Sequence, residues 1–166
     1  MSRVSGTQGD GEIAARIRTR RGGALHPLDE MLLHSPAIAD GWNSLLGAVR
    51  ERIALDAAVR ELVVLRIAVL NNAGYEWDAH EPVARRAGIT DVQLRALRTG
   101  DRTTFDAVQR AALDYTDAMT TTVEVPDATF EALRPHFDEA GIVELTAVAA
   151  AYNMVSRFLE ALEIRP

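Results

Sequence analysis

The chain of 166 residues contains no cysteine. That absence excludes disulfides, thiolate metal sites and thiol nucleophiles together. Basic charge is also short: 18 Lys and Arg against 24 Asp and Glu leave a formal net charge of −6. General nucleic-acid binding needs a basic surface to displace counterions, so it is not expected. Arg16, Arg18, Arg20 and Arg21 do cluster near the N-terminus. They read as a solvated segment, with an anion or subunit contact as the alternative. No fully apolar run approaches the ~20 residues of a membrane span. The polar, glycine-rich start, residues 1–11, lacks the apolar core of a secretory signal and reads as a disordered tail. A cytoplasmic protein without membrane or nucleic-acid partners is expected. P-loop and G-x-G-x-x-G patterns are missing, as are strand alternation and hairpin turns.

What remains is a helical composition. The apolar share of 48% is ample for one core, and aromatics make up only 5%, with alanine and leucine dominant. A chain of this size is most simply one domain, here residues 12–166. Residues 12–26 read as a basic, partly extended arm ending at Gly22-Gly23. Helices are expected over 28–33, from the Ser35-Pro36 cap to about 52, and from an Asp56 cap to about 72. The third of these carries Leu62 to Leu70, apolar on nearly every face. It therefore belongs at the centre of a bundle or at a subunit interface. After a break at Asn71-Asn72-Ala73-Gly74 come helices over 74–87, with a kink expected at Pro82, and 90–98, opened by the capping-box sequence Thr90 to Gln93. Further helices are expected over 104–121, 127–134 and 139–162. The fold class is all-α, a single-domain bundle of seven or eight helices. Glu61 and Glu144 each stand near the start of a long apolar helix, a faint hint of internal duplication.

The chemistry concentrates at Glu76-Trp77-Asp78-Ala79-His80. On a helix, Glu76 and His80 share one face, which makes a carboxylate–imidazole acid–base unit working near neutral pH. Glu76 is expected to orient His80. Trp77 and Tyr75 are candidates for walling or hydrogen-bonding a substrate, against the plainer role of core residues. Glu61 opens the apolar helix and is expected either to hold a proton near neutral pH, through desolvation, or to pair with Arg60 or Arg66. Arg66 interrupts the apolar run and needs a carboxylate partner, from protein or substrate; Arg157 is a second candidate of that kind. A zinc site is not expected. His80-Glu81 is followed by Pro82-Val83-Ala84, so the second histidine of H-E-x-x-H is missing.

These segments resemble the carboxymuconolactone decarboxylase family, which includes the alkylhydroperoxidase D-like proteins. The resemblance rests on Arg60-Glu61-Leu62-Val63-Val64-Leu65-Arg66, on Tyr75 to His80, and on Ala87-Gly88-Ile89-Thr90. His34-Ser35-Pro36 and Tyr152 to Phe158 are similar too. The family's peroxidase branch uses C-x-x-C with a histidine four residues after the second cysteine. Those positions hold Ala73 and Glu76 here, so the resemblance implies the cysteine-free branch, without thiol peroxidase chemistry. The decarboxylase branch's glutamate–aromatic–x–x–histidine pattern is met by Glu76, Trp77 and His80, and its further glutamate by Glu61. The resemblance thus implies an oligomer, trimer or hexamer, and a lyase that decarboxylates a small carboxylated lactone without a cofactor. In that reading His80, Glu76 and Glu61 are catalytic, while Trp77, Tyr75, Arg66 and Arg157 contact substrate. The competing expectation is a non-catalytic ligand-binding or assembly protein on the same scaffold.

Overall fold

The structure, a computed structural model, describes residues 2–165. Among them are nine helices and no strand: α1 (Glu12–Arg21), α2 (Pro27–Leu32), α3 (Pro36–Glu51), α4 (Ala57–Leu70), α5 (Gly74–Arg86), α6 (Asp91–Thr99), α7 (Ala107–Thr121), α8 (Asp127–Glu131) and α9 (Glu139–Ala161). The described residues group into two compact units, one of residues 2–52 with 158–165, the other of residues 53–157.

In the first unit, residues 12–21 form a helix where an extended arm was expected, which raises the helix count to nine. The arginines account for the difference, because each finds an acceptor nearby. Arg16 pairs with Asp40 and Arg21 with Asp29, while Arg20 donates to Asn43 at 2.6 Å and Arg18 to the Gln8 carbonyl at 2.6 Å. Gly22 stops the helix in the left-handed conformation, φ 80°, which glycine adopts without a Cβ penalty. Residues 2–10 are non-helical, and the Arg3 amide donates to the Leu162 carbonyl at 2.9 Å.

The second unit is built around α4. Every residue from Leu62 to Ala68 is buried, as an all-round apolar helix requires, and α5, α6 and α7 pack against it. Leu62, Leu65, Ala68, Trp77, Leu97 and Leu113 are central members of the core. Arg66 is buried among them because its guanidinium has protein acceptors. It grips Asp117 with two bonds, 2.6 and 2.8 Å, and donates to the Leu97 carbonyl at 2.7 Å. Asp117 also accepts from Arg102 at 2.6 Å.

The α4–α5 turn places the site. Asn72 takes φ 53°, its amide donates to the Val69 carbonyl, and the Ala73 amide reaches back to Ala68 at 2.8 Å. This is a Schellman closure with asparagine in the left-handed position. Helix α5 continues through Pro82 to Arg86. Thr90 and Gln93 form the expected capping box. Helix α7 begins at Ala107 rather than 104 because Asp106 caps it, and α8 stops at Glu131. Glu144 receives the amides of Ala54 and Leu55 at 2.8–3.1 Å, clamping the turn before α4. Glu61 has different partners, so the two carboxylates are not repeats of one role.

Candidate active site

Three titratable side chains from α4 and α5 meet inside the second unit. Glu61, Glu76 and His80 are only 2%, 3% and 8% exposed. Burying such groups is costly unless they satisfy one another. His80 Nδ1 lies 2.7 Å from Glu61 Oε2, and His80 Nε2 lies 3.7 Å from Glu76 Oε2. The imidazole therefore sits between two carboxylates, one hydrogen-bonded and one in electrostatic reach. Tyr152 of α9 meets the imidazole edge to face, with ring centroids 5.1 Å apart at 89°.

The two glutamates stand at different distances from the ring. Helical spacing alone brings Glu76 near His80, but Glu61 makes the short bond that holds the ring. The α4–α5 turn is what brings Glu61 alongside. Glu76 sits in the first turn of α5, where the helix dipole favours a carboxylate. Of the two expectations for Glu61, pairing with Arg60 is the one the structure shows. Burial pushes its carboxyl up, but the hydrogen bond and charge of His80, then those of Arg60, outweigh burial and hold it below the usual carboxylate range. Arg60 Nε donates to Glu61 Oε1 at 3.1 Å. With Glu61 ionised as an acceptor, Nδ1 of His80 carries a hydrogen and donates it. Nε2 is then the nitrogen left for proton transfer.

The remaining candidates fall elsewhere. Trp77 is buried, its Nε1 donates to Glu81 at 2.6 Å, and the Arg98 guanidinium stacks 3.7 Å from its ring centroid. Trp77 also lines a cavity of about 210 Å³ with Val69, Asn72, Ala73, Gly74 and Arg98. Tyr75 is half-buried in the first turn of α5. Arg66, expected to need a carboxylate from protein or substrate, finds one in the protein: it bonds to Asp117 and to the Leu97 carbonyl. Arg157 is exposed and bonded to Asn153, at 2.6 Å to Oδ1 and 3.1 Å to the carbonyl. Asn153 belongs to a buried chain of polar groups: Asn71 donates to Asn153 and Ser156, and Asn153 donates to Thr120. Sequence reasoning gave Arg60 no part in the site beyond a pairing option. Its position beside Glu61 was the available signal. No cluster of three or more metal-ligating side chains with the geometry to hold an ion occurs among the described residues.

The chain resembles known proteins in both sequence and fold. The model of the carboxymuconolactone decarboxylase family matches residues 36–118, which include Glu61, Glu76 and His80. The uncharacterized protein YnjA of Escherichia coli is 35% identical over 117 residues, 69% of this chain. The match spans 64% of that relative's own length. Among solved structures, a protein of unknown function from Agrobacterium tumefaciens, described in terms of AhpD antioxidant defence, superposes with a TM-score of 0.74 at 25% identity. That match covers 80% of this chain and 92% of the other. An alkylhydroperoxidase AhpD core protein from Ralstonia eutropha, itself an uncharacterized peroxidase-related protein, gives a TM-score of 0.81 at 24% identity. It covers 99% of this chain and 92% of the other, a likeness of fold. With the family model spanning half the chain, this protein belongs to the carboxymuconolactone decarboxylase family, in a cysteine-free form with the alkylhydroperoxidase D-like fold.

Proposed function

We propose that the protein is a cofactor-free lyase that decarboxylates, or by related chemistry enolises, a small carboxylated lactone or similar oxygenated acid. One observation carries the reading: a buried imidazole held at Nδ1 by an ionised Glu61, with its other nitrogen turned toward Glu76. That is an arrangement for moving protons. The C–C bond to the carboxylate breaks, CO₂ leaves, and the electron pair passes into the conjugated carbonyl as a dienolate. The protonated imidazole stabilises the developing oxyanion, then Nε2 delivers its proton to carbon. Glu76 receives or returns the proton at Nε2, and Glu61 fixes the ring throughout. Arg60 adjoins the cluster and is the arginine best placed to hold the substrate carboxylate, ahead of Arg66 and Arg157. Trp77 and Tyr75 remain proposed contacts for the substrate ring. Thiol peroxidase chemistry is outside the reading, because the chain has no cysteine. A homo-oligomer, trimer or hexamer, in the cytoplasm completes the proposal.

The test is a panel of carboxylated unsaturated lactones assayed for CO₂ release. His80→Ala should cut kcat by about 10²–10⁴-fold, the usual contribution of a positioned acid–base group, with an unchanged circular dichroism spectrum. Glu76→Gln should lower kcat more than it raises KM. A folded His80→Ala protein with undiminished turnover would eliminate this assignment.

A further inference from the structure

The hairpin that carries Glu61 and His80 also holds the cavity of about 210 Å³, and no member of the acid–base cluster lines it. Small residues create the space where α4 turns into α5. Ala68 and Ala73 are buried and end at a methyl group, and a Cβ built at Gly74 would meet nothing within 4 Å. Val69 and Trp77 complete an apolar wall. Asn72 and Arg98 form the polar rim, and both are exposed. Among the described residues neither of these two side chains makes a hydrogen bond or an ion pair.

Arg98 is nonetheless held in place. Its guanidinium lies 3.7 Å from the centroid of the Trp77 ring. The indole is itself fixed, because Nε1 donates to Glu81 at 2.6 Å. Glu81 is in turn taken up by Arg85, through bonds of 2.9 and 3.1 Å. A stacked guanidinium has given up much of its rotamer freedom before any ligand arrives, and its planar fork of donors suits a carboxylate. One cation beside one amide matches a single negative charge. No second cation lines the cavity to meet a phosphate dianion. The apolar wall calls for a hydrophobic body, and an engineered apolar cavity of about 150 Å³ is known to take up benzene. The space here therefore suits a six-membered ring together with its carboxylate. We propose that this cavity binds a small monocarboxylate with a flat unsaturated or aromatic ring, its carboxylate on Arg98 and its ring against Val69 and Trp77. The site works by binding alone and does not depend on the lyase reading.

Benzoate is the probe for the test. In proton–nitrogen correlation spectra of the full chain at pH 7, the indole N–H of Trp77 reports on the cavity. Trp42→Phe distinguishes its signal from that of Trp42. Benzoate should shift the Trp77 signal saturably, with half-saturation at about 1 mM, the range open to a ligand of so few atoms. Arg98→Gln should raise that concentration at least tenfold. Benzamide, which keeps the ring without the charge, should bind more weakly by a similar factor, and acetate, which keeps the charge without the ring, should give no saturable shift. His80→Ala should leave the benzoate titration unchanged. Thermal melts monitor folding; Arg98 is exposed and without hydrogen bonds, so its replacement leaves the core closed. Because the readout is binding, a failed lyase assay leaves this result standing. Absence of a saturable shift up to about 20 mM benzoate overturns the proposal. An equal response to benzamide or acetate overturns it too, as does undiminished binding in Arg98→Gln. Loss of benzoate binding in a folded His80→Ala protein also overturns it, since the ligand then belongs to the acid–base cluster.

Discussion

At His80 the two ring nitrogens meet different carboxylates at different distances. The 2.7 Å bond from Nδ1 to Glu61 fixes the ring, and the 3.7 Å separation from Nε2 to Glu76 leaves that nitrogen available. The sequence disclosed the Glu76–His80 spacing but not this division, because helical periodicity relates residues of one helix only. Glu61 lies nineteen residues earlier, and its approach depends on a turn whose geometry no spacing rule contains. Glu61 also has a measurable signature in stability. Its folded carboxyl titrates below its ordinary value of 4.5, so its contribution is present above that value and is lost as pH falls through the depressed one. Glu61→Gln should therefore lower unfolding free energy by about 2 kcal/mol at pH 7, where a charge-assisted bond is given up. The gap between variant and wild type should close at pH values below the folded titration. Urea denaturation at both ends of that range measures it; a gap independent of pH would show that the carboxylate charge does not matter.

At the scale of elements, α4 was the most legible part of the chain. Nine residues from Leu62 to Leu70 with one polar member predict a central helix, and the structure buries it. Helix α1 was the least legible. Its arginines resemble a solvated arm in isolation and become helical through acceptors at Asp29, Asp40 and Asn43, which are far along the chain. Arg66 was legible as a residue needing a carboxylate, while the identity of that carboxylate, Asp117 on α7, was not. The α4–α7 tie makes a sharp expectation. Asp117→Ala strands a buried guanidinium and should cost about 3 kcal/mol. Arg66→Met combined with Asp117→Leu should recover most of the loss, as replacing both members of such a pair often does. Chemical denaturation of the three variants decides it. Equal losses in the single and double variants would mean that the pair holds more than its own charge.

For the whole molecule, the missing cysteine is as informative as any residue present. Turnover should be indifferent to iodoacetamide and to dithiothreitol, an outcome checked by assaying treated and untreated enzyme side by side. Loss of activity on alkylation would point to a modified side chain of another type. Helix α9 is long and apolar enough to cross a membrane by length and composition, yet more than half of that stretch is buried within the molecule, which accounts for its character. The short path between Glu61 and His80 also bears on how the protein comes to exist. The cluster spans two consecutive helices joined by the Asn72 turn, so its contacts are local in sequence and close early, before more distant segments must find each other. The expected order is this hairpin first and the α7 strut afterwards, so Asp117→Ala should mainly speed unfolding while substitutions at the Glu61–His80 contact slow folding in stopped-flow measurements.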